Sequence, residues 1–105
     1  MLLIRDIMYC KPGKVRPMVE KFLAIAKAAE KAKMGGKWRV MTDLSAERYW
    51  TVVSEMEVEN MAAFENMMSG EGAQGAKLAK EMEAIMKGYH DLVEYGRREV
   101  YKLEN

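Results

Sequence analysis

The stretch WRVMTDLSAERYWTVVSEMEV, residues 38–58, decides the fold. Trp38, Val40, Thr42 and Leu44 alternate with Arg39, Met41 and Asp43; Trp50, Val52, Ser54, Met56 and Val58 alternate with Tyr49, Thr51, Val53, Glu55 and Glu57. A period of two is the strand signature. Ser45-Ala46-Glu47 separates the two runs, so residues 38–44 and 48–58 read as a hairpin.

Upstream, Val15, Met18, Val19, Phe22, Ala26 and Ala29 recur at steps of three and four, which predicts a helix from 15 to about 34. Pro17 falls in the first turn, where its missing N–H costs nothing, and Gly35-Gly36 stops the run. Before it, residues 2–11 are aliphatic and aromatic until Pro12-Gly13 turns the chain. Leu2, Ile4, Met8 and Cys10 lie on one side of this strand, and Leu3, Ile7 and Tyr9 on the other. A strand apolar on both faces belongs in the middle of a sheet. Arg5 and Asp6 interrupt the two faces, one on each.

Downstream, Asn60 is placed to cap a short helix through about Ser69, with Met61, Phe64, Met67 and Met68 inward. Gly70-Glu71-Gly72 breaks it. A second helical stretch is predicted over 73–95, carried by Leu78, Met82, Ile85, Met86, Tyr89, Leu92 and Val93 and stopped by Gly96. Residues 97–103 form the last strand. The order is β, α, β, β, α, β in one domain, 1–105. With right-handed, interleaved crossovers this is a ferredoxin-like α+β fold: a four-stranded antiparallel sheet with helices on one face. The other face still carries Leu3 or Ile4, Tyr49 or Trp50, Val53 and Tyr101. Its cheapest cover is a second copy of the chain, through a two-fold contact.

Composition narrows the function classes. Seventeen basic and sixteen acidic residues nearly cancel, which removes the electrostatic footprint expected of a nucleic-acid binder. A net charge this small also weakens solubility as a lone monomer. The single cysteine, Cys10, cannot form an internal disulfide and reads as a small buried hydrophobe in a reducing, cytoplasmic setting. No apolar run approaches the roughly 18 residues that span a bilayer, and the N-terminus lacks signal-peptide character. Eleven methionines supply adaptable core filler or a soft lining for an apolar ligand.

The turn Lys11-Pro12-Gly13-Lys14, the segment Val58-Glu59-Asn60-Met61-Ala62-Ala63-Phe64 and the close Gly96-Arg97-Arg98-Glu99-Val100-Tyr101 together resemble the dimeric α/β-barrel superfamily, in its NIPSNAP-like and antibiotic-biosynthesis-monooxygenase-like members. The resemblance implies a homodimer whose two sheets close a barrel, with a cavity beside each helical layer. Such folds host cofactor-independent oxygenases, haem-degrading enzymes, cyclases and isomerases, and fold alone does not choose among them. The haem-degrading relatives combine a histidine on the second helix with an asparagine in the first strand and a nearby tryptophan. The first strand here has no asparagine, so that mechanism is not carried over.

Three residues are candidates for catalysis. His90, the one histidine, can act as a general base or interact with a helix end at the surface. Arg5 needs a partner in a central strand, either a carboxylate such as Glu55 or Glu99 or a polar substrate atom. Tyr9 offers a hydroxyl. Trp38, Tyr49, Trp50, Phe64, Met86 and Tyr101 are candidate ligand-binding residues, as walls for an apolar or aromatic molecule, and are equally suited to packing. Cys and His do not cluster, so no metal is expected. The leading expectation is a homodimer that binds a small molecule between sheet and helices and resembles cofactor-free monooxygenases. A non-catalytic binding or assembly module is the alternative, and haem binding through His90 a third. The glycine-rich segment 70–75 reads as a hinge or lid rather than a nucleotide loop.

Overall fold

The structure is a computed structural model that describes residues 1–33, 36–70 and 72–105. The predicted helix stop at Gly35 and the break at Glu71 lie outside the described residues. Four strands, β1 (Leu2–Cys10), β2 (Trp38–Thr42), β3 (Thr51–Val58) and β4 (Val93–Lys102), form one sheet in the order β2-β3-β1-β4, with every described pairing antiparallel. Helices α1 (Val15–Lys31), α2 (Met61–Ser69) and α3 (Gly72–Met86) complete the α+β, ferredoxin-like fold.

Each element forms for a local reason. α1 buries Met18, Val19, Phe22, Ile25 and Ala29, the three-and-four spacing read from the sequence. At the start of α2, Asn60 is extended and its Oδ1 accepts the Ala63 N–H at 2.8 Å. The end of α3 is met from another helix: Lys21 Nζ donates to the carbonyls of Ile85 and of Lys87, one residue past the helix, at 2.8 and 2.9 Å.

Several boundaries differ from the sequence reading; β2 ends at Thr42 rather than 44 and α1 at Lys31, and three further differences have a visible cause. β3 begins at Thr51, not at 48, because Trp50 takes a left-handed conformation (φ 58°) that no strand continues through. The Asp43 carboxylate accepts the Thr51 N–H at 2.8 Å and closes that connection. α3 stops at Met86 rather than 95: Gly88 is left-handed (φ 82°), and Tyr89–Asp91 makes a single 3-10 turn before β4 starts at Val93. Gly96, read as a helix stop, lies inside β4 opposite Met8, where a Cβ would come within 2.5 Å of the Met8 sulfur.

The sheet has two different faces. Even-numbered β1 residues face the helices. There one cluster joins Ile4, Met56 and Val58 to Phe64, Met67 and Leu78, and a second joins Cys10, Val52 and Val93 to Met18, Val19 and Phe22. Odd-numbered β1 residues face away. On that side Ile7 and Tyr9 are buried, while Tyr101 on β4 and Met41 on β2 stay exposed. Across this face runs a row of charges in register: Arg39 on β2 pairs with Glu55 on β3, Glu55 with Arg5 on β1, and Arg5 with Glu99 on β4. The nearest approaches are 4.0, 2.6 and 3.8 Å. Glu55, 7 % exposed, is the buried centre of the row. Tyr101 donates to Glu99 at 2.9 Å, and that hydrogen bond holds its phenol above the ordinary tyrosine range.

Candidate functional site

The two apolar clusters do not close on each other. Between the sheet and the helices lies a cavity of about 500 Å³ that draws its walls from both, within the size range of small-molecule sites. Met8, Met56, Met68, Met82 and Met86 supply much of the lining, together with Phe22, Phe64 and Trp38. Unbranched thioethers conform to irregular shapes, so this wall can follow a ligand's outline.

The floor is polar at one level. Asp6 lies between Ser54 on β3 and Arg98 on β4 in the sheet register, and all three line the cavity. Arg98 Nε donates to Asp6 Oδ1 at 2.6 Å and Nη2 to Oδ2 at 3.3 Å, a fork-to-fork pair that fixes the guanidinium plane. Its CZ atom lies 5.0 Å from the Phe64 ring centroid. Among the described residues, the Nη1 donors of Arg98 have no protein partner. His90 joins the cavity from the 3-10 turn, its ring 4.0 Å from that of Tyr89, which is also in the lining. Trp38 Nε1 is fully buried and has no hydrogen-bond partner among the described residues, an orphaned donor in a wall residue.

The sequence candidates divide between the two sheet faces. His90, Trp38, Phe64 and Met86 line the cavity. Arg5, Tyr9 and Tyr101 stand on the opposite face, because odd and even positions of a strand point to opposite sides. Arg5 is taken up by Glu55, and Tyr9 is covered by the Arg48 guanidinium, 4.6 Å from its ring centroid. Tyr49 and Trp50 sit in the β2–β3 connection, largely exposed. His90, Tyr9 and Arg5 therefore do not converge. The sequence flags Asp6, with Arg5, as a charge that either finds a partner or faces the cavity, and it gives no sign of Ser54 or Arg98. The available signal was parity: Asp6 shares the inward side of β1 with Ile4 and Met8.

The donor set does not match the haem-degrading arrangement. The first strand brings an aspartate paired to arginine, and the histidine lies in a turn beyond α3 with a ring packed on it. Among the described residues no group of three or more His, Cys, Asp or Glu is placed to hold a metal ion, and no helix is long and apolar enough to cross a membrane. Burial pushes the Cys10 thiol above its ordinary range and keeps it from solvent, the environment of an inert structural cysteine.

No protein-family profile and no curated protein sequence matches the chain. Solved structures do. A NIPSNAP domain protein from Burkholderia xenovorans is 18% identical with a TM-score of 0.64, over 98% of this chain and 94% of its own. A candidate antibiotic biosynthesis monooxygenase from Nitrosomonas europaea is 11% identical with a TM-score of 0.69, covering 100% of both chains. A protein from Pseudomonas aeruginosa reaches 0.71 at 13% identity, over 97% and 93%. At these identities the likeness shows the fold, which is the one the sequence resemblance implied.

Proposed function

We propose that the chain, with the fold of NIPSNAP-like and monooxygenase-like proteins, binds a small apolar or aromatic molecule bearing an oxygen atom, and does so as a homodimer. The observation that carries the binding reading is the cavity: a methionine and aromatic wall over a floor of Asp6, Ser54 and Arg98. Apolar walls supply affinity in proportion to buried area, and a few polar groups set orientation. The dimer reading is supported by the face away from the helices, where Met41 and Tyr101 remain exposed on strands.

Within that reading, the finer activity is oxygenation without a cofactor. An electron-rich phenol supplies all the electrons; one oxygen atom of O2 enters the ring as a carbonyl and the other leaves as water. His90 takes the phenolic proton, and Arg98 holds the resulting oxyanion through its free Nη1 donors.

The test is a thermal-shift and calorimetric screen with naphthalene, 2-naphthol and larger phenols, followed by oxygen-electrode assays on those that bind. A ligand at one hundred times its Kd stabilises the fold by about 2.7 kcal/mol. Met86→Trp, which fills the cavity, is expected to abolish binding while leaving the circular dichroism unchanged. Binding undiminished in that variant overturns the site. Binding with no oxygen uptake, in the native protein and in His90→Ala alike, overturns the oxygenase chemistry and leaves a binding module.

A further inference from the structure

The charge row on the outer sheet face has a property of its own. Read from β2 to β4 it runs Arg39, Glu55, Arg5, Glu99: plus, minus, plus, minus, one residue per strand, at one register level. Its midpoint falls between β3 and β1, which is also the midline of the four-stranded sheet. A row of this kind has a different relation to its own image for each choice of two-fold axis.

Take an axis that runs along the strands over the β3/β1 midline. Rotation reverses the order of the row and keeps its level along the strands. Arg39 then faces the partner's Glu99, and Glu55 faces the partner's Arg5, so all four contacts join opposite charges. Take instead an axis that runs across the strands at the level of the row. The order is kept, and each charge faces its own kind. Like charges held face to face across an interface are strongly disfavoured, and opposite ones fix register. The next level is mixed: its centre pairs apolar residues, while Met41 at its edge faces the partner's Arg97. At that centre, Val53 and Ile7 are register neighbours on the same face, and the strand-parallel axis sets each over the other.

We infer that the ladder Arg39–Glu55–Arg5–Glu99 is the register code of a dimer of this chain, selecting the two-fold axis parallel to the strands and bringing β2 of each copy beside β4 of the other. The inference rests on the homodimer reading above and adds its geometry. The four members sum to zero charge, and Arg97, on the same face of β4, adds one positive charge 3.1 Å from Glu99. Exposure falls unevenly along the row, with side chains 52% exposed at Arg39, 34% at Arg5, 27% at Glu99 and 9% at Glu55. Arg39 and Glu99 are the pair that tests the axis, because they lie farthest from the midline and meet only across the interface.

The experiment is a heterodimer test with Arg39→Glu and Glu99→Arg. Alone, each variant sets like charges opposite each other at both ends of its dimer, and its dissociation constant, by sedimentation, should rise at least about tenfold. Mixed one to one, the two variants meet with opposite charges at both ends. Native mass spectrometry should then find the heterodimer in clear excess over both homodimers. If either chain fails to fold, Arg39→Gln and Glu99→Gln repeat the test at lower amplitude, since only their mixture regains an ion pair. A mixture that assorts at random overturns the ladder while the dimer stands. Mixed with native protein, Arg39→Glu is expected to gain nothing, since one end of that heterodimer is attractive and the other repulsive; a heterodimer of Arg39→Glu with native chain in excess over both homodimers overturns the axis. A native chain that stays at 12.0 kDa at micromolar concentration by light scattering overturns the dimer itself.

Discussion

Two neighbouring residues of one strand carry opposite assignments. Arg5 turns outward to Glu55 and the charge row, and Asp6 turns inward to Arg98 and the cavity. Pleating alone separates them, so a one-residue register slip of β1 would exchange an ion ladder for a ligand site. The sequence marked both charges as anomalies in a central strand. It did not show which faced inward, because that depends on where the helices pack. Cys10 illustrates the legible case. A lone thiol without cationic neighbours reads as a small hydrophobe, and the structure buries it and raises its pKa. Iodoacetamide should therefore label Cys10 at least about tenfold more slowly in the native protein than in the urea-unfolded chain at pH 8, scored by intact mass. Equal rates would show that the thiol is reached without unfolding.

At the scale of elements, short polar signals outperformed apolar periodicity. Asn60, just before Met61, reads as a cap, and its carboxamide oxygen closes the first turn of α2. Replacing it with alanine should cost about 0.5–2 kcal/mol of stability, measured by urea denaturation. A loss below about 0.2 kcal/mol would mean that α2 is held by packing alone. Periodicity misled at the far end. Tyr89 and Leu92 pack with Val93 against the same core cluster, so they kept a helical spacing while leaving the helix. Gly88, in the left-handed region, was the stop that the sequence offered. Gly96 drew attention instead, though its role is to leave room for Met8 in the neighbouring strand. The hairpin was legible from alternation, whereas the start of β3 was not, since a left-handed tryptophan has no sequence mark.

For the molecule as a whole, the sheet order and helical layer follow from the order of elements, and they match structures that share fewer than one residue in five. The cavity was foreseen in position, between sheet and helices, but not in its polar floor, which is assembled from three strands distant in sequence. That hollow also makes the fold sensitive to a variable seldom applied to it. Unfolding under hydrostatic pressure is driven by the void volume that disappears when the chain opens. To the extent that this solvent-facing hollow of about 500 Å³ is dry, the core around it should give way at modest pressure, followed by the emission of Trp38 in a Trp50→Phe background. Met86→Trp, or a bound naphthol, should raise the midpoint. A midpoint unmoved by either would mean that the hollow is already filled with water and contributes no void to be lost.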